Sequence, residues 1–201
     1  MKKYKKNLLI AGFVCLSYSV KAQLPVLKSN TTEIEKANSL IYKNFYGKYD
    51  FVVSCIEESY WWGNRRFYKI FACKNGRWEK ISLSQKEKKN DEWSKPVIHT
   101  EEFDKDKADS LMSLLNKNGF WKLNKDSLNI TQRRVSEKQD QVFSISDGVN
   151  YKFEIFSNKD FQIIESYSPD YFYKKMPEIK CRGIFIRCRD LFLSAYNKKT
   201  D

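Results

Sequence analysis

The chain has 201 residues, a formal net charge of +12, five cysteines and a single histidine. Seven glycines, none spaced as a phosphate-cradling loop, exclude the common nucleotide-binding motifs. One histidine likewise excludes an HExxH-type metal site, which needs two.

Residues 1–22 differ in kind from the rest. Lys2, Lys3, Lys5 and Lys6 precede an apolar stretch over 8–20, and Ala22 sets a small residue before Gln23. A basic start, a short apolar core and a small closing residue form the grammar of a cleaved secretory signal. The core is shorter than the roughly 20 apolar residues of a spanning helix. Val14 puts a bulky side chain just before Cys15, which disfavours lipidation at that cysteine. The segment resembles the short Lys-rich signals, ending in Ala-Gln, of proteins exported by Gram-negative bacteria. That resemblance implies a secreted or periplasmic location.

Cleavage after residue 22 would remove five lysines and no acids, so 179 residues carrying +7 remain. Such a charge biases a protein toward anionic partners and says nothing of fold. Outside the cell those partners are acidic proteins, anionic glycans or lipid headgroups rather than nucleic acid. Cys55, Cys73, Cys181 and Cys188 remain, and an even count in an oxidising compartment predicts disulfides. Neither pair has the short CxxC spacing of a zinc site.

Residues 24–30 read as an extended leader, because Pro25 pushes Leu24 away from helix. Thr32 and Glu35 have capping-box spacing. Ile34, Ala37, Leu40, Ile41 and Phe45 then mark one helical face, with Gly47 as a stop. Residues 50–83 predict a three-stranded antiparallel meander. Phe51, Val53 and Cys55 alternate with Val52, Ser54 and Ile56, and Phe67, Lys69, Phe71 and Cys73 share a face of the second strand. Asn75-Gly76 is a type I′ hairpin signal. The step from Trp78 to Ile81 breaks the alternation and suggests a bulge or a different register. A first turn centred on Asn64 would place Cys55 directly opposite Cys73, a geometry that suits a disulfide.

Residues 85–94 are polar and predict a loop, and 96–100 a short strand. Asp104 or Asp106 starts a helix whose face is Ala108, Leu111, Met112 and Leu115, stopped by Asn118-Gly119, with Phe120, Trp121 and Leu123 closing over it. Residues 141–147 and 150–156 predict a hairpin turned by Asp147-Gly148, and 161–167 completes a second meander. A terminal helix over 183–196 follows, with Cys181–Cys188 tethering its approach. The fold class expected is α+β: antiparallel β-meanders packed with about three helices, in one disulfide-stabilised domain over 23–201.

Chemistry-bearing constellations are few. His99, followed by Glu101 and Glu102, lacks the nucleophile that a triad needs and reads as surface. Glu57 and Glu58 beside the aromatic run 60–62 offer carboxylates near sugar-stacking rings, but adjacent strand residues face apart. Tyr60, Trp61, Trp62, Arg65 and Arg66 gather the residue types enriched in interface hot spots. Lys180, Arg182, Arg187 and Arg189 form a second, cationic stretch. The expectation is a non-catalytic binding protein without cofactor or metal, whose partner is an envelope or extracellular protein or an anionic surface ligand. The alternative is a hydrolase acting on a glycan through acidic residues.

Overall fold

In the computed structural model the described residues are 24–198 apart from positions 60, 62, 90, 91, 138, 158 and 159. The signal segment, Cys15, Tyr60, Trp62 and part of the turn before residue 161 therefore lie outside the described residues.

The run Phe-Val-Val-Ser-Cys-Ile at 51–56 is apolar on both faces, and that pattern suits a strand covered on both sides. It forms β1 (Phe51–Glu58), which lies inside a six-stranded antiparallel sheet. Following it are β2 (Arg65–Lys74), β3 (Arg77–Lys86) and β4 (Val97–Phe103). A separate ribbon pairs β5 (Gln132–Ser136) with β6 (Gln139–Val142). Then come β7 (Asn150–Ser157) and β8 (Asp160–Tyr167), giving the order β4-β3-β2-β1-β7-β8.

Each sheet face carries its own core. One face packs Phe51, Val53, Phe71, Trp78, Phe153 and Ile164 against the helices α3 (Lys105–Lys117) and α6 (Lys180–Asn197). The other packs Val52, Ile56, Ile70, Ile81, Leu83 and Phe156 against α2 (Leu40–Phe45). This second core explains the step from Trp78 to Ile81. Both residues are buried, on opposite faces, and the register with β2 runs through them without a bulge.

Local signals place the helices. The capping box of Thr32 and Glu35 starts α1 (Glu33–Asn38), and Asp104 caps α3, whose buried residues are Ala108, Leu111, Met112 and Leu115. The predicted single helix after residue 32 is instead two. Ser39 is extended (φ −67°, ψ 122°), ends α1 and caps α2 through its hydroxyl. Ile34 is consequently left 73% exposed. Two short helices, α4 (Lys125–Leu128) and α5 (Pro169–Lys175), complete the layer beside α6.

The second meander is also corrected. Strand β6 pairs with β5, so the residues after Gln141 do not form a hairpin with β7; β7 lies between β1 and β8. The outer edge of β8 is covered by two asparagine side chains that imitate a peptide group. Asn30 bonds the N–H and C=O of Ile163, and Asn129 bonds Tyr167 N–H and Glu165 C=O. At the other edge β4 exposes His99, Glu101 and Glu102, charged or polar side chains that discourage edge pairing.

No disulfide joins the described cysteines, which corrects the disulfide-stabilised expectation. Strand β1 meets β2 with Phe51 opposite Cys73, so Cys55 faces Lys69. Four residues of offset separate the two cysteines by about 13 Å along the strands. Cys181 and Cys188 both lie on α6, seven residues and hence about 10 Å apart along its axis. A disulfide requires Cα atoms within about 7 Å. Burial pushes the Cys188 thiol up to about 11, and burial also raises Cys55 and Cys73. Iodoacetamide at neutral pH should therefore modify Cys181 first in the native chain, with Cys55, Cys73 and Cys188 reacting only after denaturation. Peptide mapping under non-reducing conditions checks this directly.

Candidate functional site

The β1–β2 end of the sheet carries the residues that composition singled out. Arg65 and Arg66 are neighbours on β2, so their side chains leave on opposite faces. The Arg66 guanidinium lies 3.9 Å from the centroid of the Trp93 ring. Arg65 lies on the α6 face of the sheet and lines a cleft of about 410 Å³ with Glu57, Asn64, Phe67 and Lys69. Lys69 holds Glu57 at 2.5 Å. Trp61 is 70% exposed and Phe67 49% exposed, so two large aromatic surfaces meet water at this end. Arg65 thus shares its cleft with Phe67, and Arg66 leaves on the far face.

The cationic stretch does not form a patch. Arg182 is fully buried, 0% exposed, and its guanidinium is held by main-chain oxygens. Nε donates to Leu128 O at 2.7 Å, Nη1 to Phe172 O at 3.3 Å, and Nη2 to Ile130 O. Burial pulls its pKa below the ordinary arginine value. Arg189 is buried above the Tyr151 ring and donates to Asp170 (2.5 and 3.0 Å) and to Asp190 (2.9 Å). Lys180 and Arg187 alone remain exposed. Two cations of the four tie helices together, and they belong to the buried stripe Arg182, Phe185, Arg189, Phe192 and Tyr196 of α6. The spacing of 3, 4, 3 and 4 through these five positions was the available signal.

His99 is exposed on β4 opposite Ser82. Glu57 and Glu58 face apart, as strand geometry requires, and Glu58 enters a second cleft on the α2 face. This cleft, of about 280 Å³, is the constellation that sequence reasoning missed. Its floor is set by register. Ile70, Ser54, Glu154 and Ile163 form one row across β2, β1, β7 and β8, and Tyr68, Ile56, Lys152 and Glu165 form the next. The break between α1 and α2 supplies the wall through Glu35, Asn38 and Ser39.

Glu154 is 2% exposed and has a partner on each oxygen: the Ser39 hydroxyl donates to Oε2 and Lys152 Nζ lies 2.9 Å from Oε1. Lys152 also reaches Glu58 at 3.9 Å, and Asn150 donates to Glu58 at 3.1 Å. Burial pulls the Lys152 ammonium down, but Glu154 and Glu58 outweigh it, so its pKa stands above the usual lysine value. Tyr68 lies beside them, 3% exposed, and burial pushes its phenol up to about 12 with Glu154 adding to the effect. The available signal was Lys152 and Glu154, two charges at i, i+2 facing opposite to Tyr151, Phe153 and Ile155 on a strand rich in buried residues.

Among the described residues no helix is long and apolar enough to cross a membrane. No protein-family model matches this chain, and neither a curated protein nor a solved structure matches it.

Proposed function

We propose that this chain is an exported, non-catalytic binding protein that meets an acidic partner protein through Trp61, Arg65 and Phe67. The observation that carries the reading is the exposed Phe67 beside Arg65 on the cleft, with Trp61, also exposed, four residues before Arg65 in the chain. Trp and Arg are the residue types that anchor interfaces. A net positive chain favours an acidic surface over a basic one.

The hydrolase alternative is less well supported. Glu57 and Glu58 open on different faces, and both oxygens of Glu154 are engaged by Ser39 and Lys152. A general acid and its partner must share one cleft with lone pairs free for the reacting atoms. Export rests on residues 1–22, and a mature N-terminus at Gln23 by Edman sequencing would support it.

Envelope extract passed over the immobilised full chain should yield a partner whose retention falls about thirtyfold with Trp61→Ala or Arg65→Glu. The same partner should bind the Lys48→Glu chain as it binds the wild type. Equal retention by all four proteins would sink this surface as the recognition site.

A further inference from the structure

We propose that the cleft between β1, β7, β8 and the α1–α2 break binds one neutral sugar unit. Tyr68 is the first observation. Tyr49, Tyr167, Tyr171 and Tyr196 each donate their hydroxyl to the chain, the acceptors being Glu79, Ile145 O, Ser144 O and Ile81 O. Tyr68 is 3% exposed and lines the cleft, yet among the described residues its hydroxyl has no hydrogen-bond partner. The ring is buried while the hydroxyl is not among the enclosed unpartnered atoms, so its O–H opens on the cleft and is available to whatever fills it in place of water.

The remaining lining selects the class of ligand. Glu165 sits across from Lys152 in the register, and among the described residues its carboxylate pairs with no cation. Arg66 stacks on Trp93, which leaves its N–H groups at the rim as donors. Donors (Tyr68, Arg66) and acceptors (Glu58, Glu165) therefore face one small space. An added ammonium would crowd Lys152, which already holds the centre between Glu58 and Glu154. An added anion would meet the surplus of carboxylates. Hydroxyl groups donate and accept at once and carry no charge, so a polyhydroxylated ring matches both sets. The volume of about 280 Å³ is near the lower end of the range for small-molecule sites, about 300–1,000 Å³. One ring fits that space better than an oligomer.

This site is separate from the Trp61 surface, and the experiment keeps the two apart. Saturation-transfer NMR on the full chain would use D-glucose, D-galactose, D-mannose and N-acetyl-D-glucosamine, with L-lysine and putrescine as ammonium probes. At least one sugar should bind with Kd near about 1 mM. Tyr68→Phe and Glu165→Gln should each weaken it about five- to tenfold. Neither variant should move the urea midpoint, since Tyr68→Phe keeps the ring in the core and neither the phenol hydroxyl nor the Glu165 carboxylate has a partner within the described residues, and Trp61→Ala should bind the sugar as the wild type does. The proposal is overturned if no sugar binds below about 10 mM. Binding of L-lysine or putrescine in place of every sugar also overturns it, as does unchanged sugar affinity in both variants.

Discussion

Arg182→Met should lower the free energy of unfolding by about 3–5 kcal/mol, making it the most damaging single substitution outside the aromatic core. Methionine fills similar volume, so the loss isolates the guanidinium rather than the packing. The three carbonyls it leaves belong to Leu128, Ile130 and Phe172, and they tie the α4 region and α5 to α6. Each unmade bond to a buried acceptor costs about 1–3 kcal/mol. No carboxylate neutralises Arg182 among its hydrogen-bond partners, so its stability rests on those oxygens and on the Phe172 ring 5.3 Å away. Arg182→Lys should recover only part of the loss, because an ammonium cannot reach three divergent oxygens as a fork does. Urea denaturation of the full chain gives both values. A midpoint within error of the wild type for Arg182→Met would show that water replaces the guanidinium.

Lys152→Met should cost about 3 kcal/mol at neutral pH, near the low end for a broken buried pair because the lysine retains some exposure. The penalty comes from Glu154, which keeps one donor, the Ser39 hydroxyl, for a carboxylate that is almost wholly buried. Lys152→Met combined with Glu154→Gln should therefore be more stable than Lys152→Met alone. The pH sign follows from a folded-state pKa raised above the ordinary lysine value. The contribution of Lys152 is whole below that ordinary value, near 10.5, and drains away only as alkaline pH rises through the folded value. Wild type and Lys152→Met should accordingly converge in strongly alkaline urea titrations and stay apart at neutral pH. A double variant no more stable than the single one would place the cost elsewhere than in Glu154.

Local chemistry was the readable part of this sequence. The Thr32–Glu35 box, Asn75-Gly76, the α3 face and the Gly119 stop each depend on residues within a few positions of one another, and the structure contains all four. What could not be read is set by distant partners. A turn centred two residues later than the real one moves every cross-strand partner by four, and that error alone created the Cys55–Cys73 pairing. The place of β7 beside β1 had no local signal, since its partner lies in another part of the chain. The α2-face cleft was hidden for the same reason: Glu58, Lys152 and Glu165 meet only once β1, β7 and β8 align. Arg182 and Arg189 were misread because charge outweighed spacing in assigning the helical face, although their positions match the buried stripe of α6.

The place of β1 beside β7 has a consequence for synthesis. Ser54 on β1 bonds Glu154 on β7, 100 residues later. The hairpins β1–β2 and β2–β3 can close while the chain is still emerging, because their partners are neighbours in sequence. Strand β1 then presents an open, strongly apolar border until residue 157 arrives. At about 5–20 residues per second of elongation, that interval lasts several seconds. During it β1 is the most exposed template for pairing with another nascent chain. Delay at this stage, rather than loss of any finished contact, is where the folding yield of this protein would be decided.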